Sequence, residues 1–184
     1  MDIENEIVIR ELVKADLVPN LLEHFNRYQE VVNIYRIIDG DKLLVENPFM
    51  ENWDNHLKAE IVNEDFTNCI NSGGVVFGAF YNDNLIAFAS ILHNYFGSEK
   101  QYVQLMQLHV SNEYRNLGLG KQLFVVCVKK AKEWGAKKLY ISGHSAEESQ
   151  QFYKAVGCVD AKEINDKIAA HEPFDIQLEY KIET

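Results

Sequence analysis

Ahead of a helix-like run, the chain reads Val110-Ser-Asn-Glu-Tyr-Arg115-Asn-Leu-Gly118-Leu-Gly120-Lys121. Glycines at 118 and 120 let the backbone come close to an anion and aim successive N–H groups at it, and Arg115 adds positive charge. A helix starting there presents the positive end of its dipole to the same point. The chemistry these residues support is phosphate binding, and the ligand expected carries a pyrophosphate. Two common cradles fit badly. A P-loop needs glycine five residues before the Gly-Lys pair and Ser or Thr after it, where this chain has Arg115 and Gln122. A dinucleotide fingerprint needs a small residue three places past its second glycine, where this chain has Leu123. Nucleoside triphosphate hydrolysis and NAD binding lose their support.

What remains, Arg115-x-x-Gly118-x-Gly120, resembles the coenzyme A pyrophosphate loop of the GNAT superfamily of acyl-CoA-dependent N-acetyltransferases. The flanks keep the same order. Tyr102 to Val110 reads as a strand ending in Leu-His-Val. Lys121 to Trp134 carries apolar residues at 123, 124, 127, 128 and 131, a helical spacing, with Gly135 placed to end the helix. Leu139 to Ser142 is a short strand, and Glu147 to Ala155 a second helix that contains Phe152-Tyr153 and closes at Gly157. The resemblance covers roughly residues 75 to 180. It implies an α/β fold whose mixed, mostly antiparallel central sheet is flanked by helices and splayed at the acyl-CoA site. It also implies acetyl-CoA as cosubstrate. The pantetheine arm would pair with the backbone of Leu108, His109 and Val110 as an added strand does. The pyrophosphate would lie on Arg115, Asn116, Leu117, Gly118, Leu119, Gly120 and Lys121.

The implied reaction is direct attack of a primary amine, on a small molecule or a peptide, on the acetyl thioester in a ternary complex. The thioester carbonyl must be polarised, and a backbone N–H of the strand before the loop can supply the donor. Tyr153, by its place in Phe-Tyr-x-x-x-Gly, matches the superfamily's tyrosine beside the leaving thiolate. A phenol of pKa about 10 facing a thiol of about 8.5 makes full proton transfer uphill by roughly 2 kcal/mol, so hydrogen bonding is the expected role. The bland alternative is packing beside Phe152. An alkylamine is neutral only about once in 2,500 molecules at pH 7, so a base or a water path is needed. Superfamily members often place a glutamate on the strand before the loop; here stand Gln104 and Gln107, leaving His109, His144 or water. Where many relatives carry a cofactor-contacting Asn, this chain has Ala146. Its neighbour Ser145 either takes over that contact or, with Glu148, forms a Ser-x-x-Glu capping box. Phe25-Asn-Arg27-Tyr28-Gln, Trp53 and Asn94-Tyr-Phe96 offer aromatic and polar groups for an acceptor cleft. A non-catalytic acyl-CoA-binding regulatory module is the rival reading, motivated by the missing strand glutamate, and a transferase with a longer acyl donor is a second.

These residues need a scaffold. Glu6 to Glu11 reads as a first strand, and Asp16 can cap a helix to about Arg27 with Pro19 in its first turn. Val32 to Ile38 and Lys42 to Glu46 form a hairpin about Asp39-Gly40. A helix follows from about Asp54 to Asn71, stopped by Gly73-Gly74; then Val75 to Tyr81 and Leu85 to Leu92 make a hairpin about Asn82-Asp83-Asn84. After the two core helices, Cys158 to Ile164 and Phe174 to Tyr180 read as a closing antiparallel pair.

At 184 residues and 47% hydrophobic content, the chain suits a single domain, 1–184, with a real core. The net charge of -10 argues against nucleic acid as a partner. Yet residues 115–138 hold seven basic side chains against one acid, a local basic face that suits a phosphorylated cofactor. No apolar run has membrane-spanning length, and the acidic start Met1-Asp-Ile-Glu is neither signal nor transit peptide, so a cytoplasmic location and no membrane partner are expected. Three cysteines without a Cys-x-x-Cys pair read as reduced thiols. The six histidines show no ligand spacing, so no metal is expected. A homodimer is compatible with the sequence.

Overall fold

The computed structural model describes residues 6–183. In chain order the strands and helices are β1 (Val8–Glu11), β2 (Gln29–Ile38), β3 (Asp41–Glu51), α1 (Asn55–Glu60), α2 (Thr67–Asn71), β4 (Val75–Tyr81), β5 (Asn84–Phe96), β6 (Tyr102–Val110), α3 (Leu119–Trp134), β7 (Lys138–Gly143), α4 (Glu147–Ala155), β8 (Val159–Asp160), α5 (Asp166–His171) and β9 (Ile176–Lys181). A π-helical segment, Ile61–Phe66, joins α1 to α2. Seven strands form one sheet in the order β1-β4-β5-β6-β7-β9-β8, and β2 and β3 form a separate hairpin. Every neighbour pair in the large sheet is antiparallel except β6 and β7. The expected fold class is therefore the observed one.

Both faces of the sheet are covered, which is why β5 buries Leu85 through Ile91 without a break instead of alternating. On one face α3 sets Leu119, Leu123, Phe124, Cys127 and Ala131 against Ala87, Ala89, Leu105 and Ile141. On the other face Leu22, Phe25, Val62, Phe66 and Cys69 pack on Val76 and Phe88. Asp54 caps α1, its Oδ1 accepting the Leu57 N–H at 2.8 Å. The hairpin turn is where it was expected, with Asp39 at φ +52° and Gly40 at φ +89°, but β2 and β3 run several residues further than the alternation suggests.

Two features of β6 open the sheet on one side. Its parallel ladder with β7 runs from Tyr102↔Lys138 to Leu105↔Ile141 and stops there, so residues 106–110 face β7 with no ladder partner. On its other edge, Ser90 pairs with Gln107 while the adjacent Ile91 pairs with Leu105, leaving Met106 as the extra residue of a β-bulge.

Two expected elements are corrected. Asp16 caps no helix to Arg27: its carboxylate is held by Arg10 at 2.8 Å on both oxygens and by the Val13 N–H at 2.7 Å, closing a short 3-10 turn, Lys14–Asp16. Beyond it the chain advances by isolated three-residue turns (Leu21 to Val18, Glu23 to Asn20, Phe25 to Leu22), which let it drop Leu22 and Phe25 into the core. The strand expected at Cys158 to Ile164 shrinks to Val159–Asp160, because Glu163 turns away to accept the Ser98 N–H and Oγ at 2.8 Å each, after which Asn165 caps α5.

Candidate active site

The separation of β6 from β7 opens a cleft of about 1140 Å³. One end is the loop from Val110 to α3. Asn116 at φ +65° and Gly118 at φ +74° curl the backbone so that successive N–H groups converge. Among the described residues, the N–H groups of Asn116 through Lys121 donate to no backbone carbonyl; Gln122 is the first to turn back, to the Gly118 carbonyl at 3.1 Å. Gly118 is the α3 N-cap in the left-handed region, where a side chain is strained. At Gly120 the constraint is space: a Cβ there would lie 3.2 Å from Phe152 Cε2 and 3.7 Å from Leu108 Cδ2. Arg115 ties the loop to the strand through Nε to the Val110 carbonyl at 3.3 Å. Burial holds its guanidinium below the ordinary arginine range, against the pull of Glu148, Glu113 and Glu51. The loop thus gathers unpaired backbone donors beside a short open strand edge, a geometry that a multiply charged anion would fit.

Leu108, His109, Val110, Arg115, Asn116, Gly118, Leu119, Gly120 and Lys121 all line the cleft, and so do Tyr153, His144 and Ser145. Leu117 does not; its side chain packs against the sheet–α3 core. Tyr153 comes from the second turn of α4, its ring 5.2 Å from that of Phe152. Desolvation pushes its phenol well above the ordinary range, reinforced by Cys158 and Asp175, so it stays protonated and keeps an O–H to donate near neutral pH.

The two histidines differ. His109 is enclosed by Trp53 (ring centroids 4.8 Å) and Phe88 (5.4 Å). Burial, and then the Arg27 charge, lowers its pKa from 6.5 to about 3, which makes it a weak base. His144 Nδ1 accepts the Ala146 N–H at 3.1 Å, so the Nε2 proton points at Glu51 Oε1, also 3.1 Å away. Both of its nitrogens are committed. Ser145 is not a cap: α4 starts after Ala146 with no side-chain cap, and the Ser145 hydroxyl accepts from Arg36 Nη1 at 2.9 Å. The hairpin takes that hydroxyl because it docks here, with the Tyr35 N–H on the Ser145 carbonyl at 2.7 Å.

The other end of the cleft is lined by residues that sequence alone does not single out: Arg36, Phe49, Glu51, Asp65, Phe174 and Asp175. Of the expected acceptor residues, Arg27, Gln29 and Trp53 line it, Phe25 lies in the core, and Phe96 stacks on Tyr102 away from it. Arg27 is 7% exposed; its Nη2 meets Glu51 Oε2 at 2.7 Å, its Nη1 meets Gln29 Oε1 at 2.8 Å, and its Nε has no partner. Hydrogen bonding from His144 and the Arg27 charge hold the Glu51 carboxyl below its ordinary range despite partial burial.

His109 fixes one pH dependence. Below pH 6.5 the unfolded chain takes up a proton that the folded chain refuses down to about pH 3, so stability falls across that window as pH drops. Urea titrations of the wild type should show this acid slope, and His109→Gln should flatten it; an unchanged slope would remove His109 as its source.

Among the described residues no group of three or more His, Cys, Asp or Glu is arranged to hold a metal ion, and no helix is long and apolar enough to cross a membrane. Residues 34–158 match the profile of the acetyltransferase (GNAT) family. No curated protein matches the sequence. Among solved structures, nourseothricin acetyltransferase superposes with a TM-score of 0.70 at 14% identity, over 97% of this chain and 99% of that one. An acetyltransferase of Bacillus anthracis in complex with acetyl coenzyme A gives 0.67 at 17% identity, over 96% and 98%. The PaiA N-acetyltransferase of Thermoplasma acidophilum in complex with coenzyme A gives 0.57 at 16%, over 95% and 98%.

Proposed function

Because the chain belongs to the acetyltransferase (GNAT) family, we propose that it moves an acetyl group from acetyl-CoA to a primary amine of a small molecule or peptide, by direct attack in a ternary complex. The observation that carries this reading is the run of unpaired N–H groups from Asn116 to Lys121 beside the open edge of β6. The residues suit the cosubstrate: converging backbone donors for a pyrophosphate, tight packing against Phe152 at Gly120, and an unladdered strand edge for the amides of a pantetheine arm. Acetyl-CoA supplies the activated acyl group. In this reading Arg115 and Lys121 offset phosphate charge, an N–H of β6 donates to the carbonyl oxygen as charge develops there, and Tyr153 donates to the sulfur. The acceptor enters from the end lined by Glu51, Asp65 and Asp175, whose carboxylates favour a cationic amine. Cys69, Cys127 and Cys158 are all buried and unpaired, which suits the cytoplasm.

Turnover tests the reading. Release of free thiol from acetyl-CoA is measured with spermidine, kanamycin and a diglycine peptide as acceptors, and amine-dependent release is the expected result. Tight acetyl-CoA binding without release for any amine of a broad panel would favour the non-catalytic module.

A further inference from the structure

The acceptor must lose a proton close to β6, yet none of the residues of that strand is acidic. One carboxylate nevertheless reaches it. Gln107 Nε2 donates to Asp65 Oδ2 at 2.8 Å, across 42 residues of sequence, and both side chains line the cleft. Asp65 belongs to the π-helical segment Ile61–Phe66, a wide-turn geometry that recurs at functional sites. Ile61, Val62 and Phe66 of the same segment are buried, so Asp65 is presented from a wall fixed in the core. Gln107 directly follows the Met106 bulge and lies on the stretch of β6 that has no partner toward β7. Its amide oxygen is engaged by Ser90 Oγ at 3.4 Å, which leaves its N–H free to orient Asp65.

We propose that Asp65, oriented by Gln107, takes the proton from the acceptor amine. The assignment rests on the acetyl-transfer reading and gives it a base. An Asp65 oxygen accepts a proton from the ammonium nitrogen; the freed lone pair forms the N–C bond to the acetyl carbon. The C–S bond breaks with its electron pair passing to sulfur. Nitrogen releases a second proton, sulfur takes one up, and Asp65 returns its own to solvent, leaving a neutral amide and a free thiol.

The surroundings suit the task. Burial raises the Asp65 pKa, the like charges of Glu60 and Glu64 add to the rise, and the Gln107 hydrogen bond and His171 of α5 oppose it. A carboxylate raised in this way is the better base. Among the described residues no other carboxylate lining the cleft is hydrogen-bonded to β6: Glu51 is held by Arg27 and His144, Glu148 accepts from Gln29 Nε2 at 3.4 Å, and Asp175 accepts from Ser142 Oγ of β7 at 3.1 Å.

The test compares wild type, Asp65→Asn and Asp65→Glu with the fastest of spermidine, kanamycin and diglycine. Asp65→Asn should lower kcat/KM about a hundredfold at pH 7, the loss should shrink as pH rises toward the amine's own pKa, and Asp65→Glu should recover part of it. Calorimetric acetyl-CoA binding should stay within about twofold. Without any substrate, a carbon-13 titration of the side-chain carboxyls, with Asp65 assigned by its absence in Asp65→Asn, should place Asp65 above the ordinary aspartate range and higher still in Gln107→Leu. Wild-type-like turnover of Asp65→Asn, a loss equal at every pH, or an ordinary Asp65 titration would each overturn the assignment. Wild type that binds acetyl-CoA but acetylates no amine would instead remove the transfer reading, and this assignment with it.

Discussion

Gly120→Glu is expected to abolish acetyl-CoA binding while leaving the fold in place. Gly120 stands in the first turn of α3 at an ordinary helical φ, so the backbone tolerates a side chain and the objection is local. A Cβ would lie 3.2 Å from Phe152 Cε2, and that ring is backed by Tyr153 at 5.2 Å and Phe124 at 6.5 Å, which leaves it little freedom to yield. The added carboxylate then stands where the pyrophosphate would lie. Two unit charges about 4 Å apart near a protein surface repel by about 4 kcal/mol, which alone amounts to about a thousandfold in affinity. Thermal shift and calorimetry with acetyl-CoA should show stabilisation and micromolar binding in wild type and neither in the variant, with matching circular dichroism spectra. Affinity retained to within about tenfold would remove the loop as the cofactor cradle.

Tyr153→Phe is expected to lower kcat about a thousandfold with little change in the KM for acetyl-CoA. The effect is differential: the hydroxyl has its strongest partner only when sulfur carries charge, so its loss is felt in the transition state and not in binding. Burial strengthens the interaction beyond what reference values give. Desolvation raises the Tyr153 phenol, but a thiolate in the same cleft loses the same solvent, so the gap between them stays near its value in water while the hydrogen bond gains from the low dielectric. Because the phenol stays protonated, wild-type rates should show no tyrosine titration between pH 6 and 9. A variant that keeps more than about a tenth of wild-type kcat would reduce Tyr153 to packing beside Phe152.

The parts of the molecule that are readable from sequence are those whose causes are local. The positions of Gly118, Gly120 and Gly135, the helical spacing between them, and the apolar runs of β4 to β6 are decided within a few residues, and the loop and the helix after it keep nearly the boundaries expected of them. The failures share a different cause. The stretch after Asp16 has helix-compatible residues but takes its shape from Leu22 and Phe25 reaching the core. Ser145 reads like a cap because its partner, Arg36, lies 109 residues away. The end of the cleft away from the loop is unreadable for the same reason: Glu51 meets His144, and Asp65 meets Gln107, only once the hairpin and the π-helical segment have been laid against the sheet. The six-residue π segment leaves no pattern in apolar spacing that distinguishes it from ordinary helix.

The Met106 bulge also decides which changes of length β6 can absorb. Before it, Val103 and Leu105 pack on the α3 side; after it, Leu108 and Val110 do, so the extra residue shifts that face from odd to even numbers. Deleting Met106 would therefore leave every remaining side chain on its own face, because Leu105 and Gln107 already pair with the adjacent Ile91 and Ser90. Removing Leu108 instead would exchange the faces of the neighbours beyond it, sending His109 into the apolar layer and Val110 out of it. The tolerated deletion carries its own cost. It takes away the bend at the point where β6 leaves β7, and a straightened β6 is free to extend its parallel ladder beyond Ile141 toward Gly143. The one residue of β6 that has no ladder partner on either edge is thus the wedge that holds two strands apart, and a better-ordered sheet would be one with its groove zipped shut.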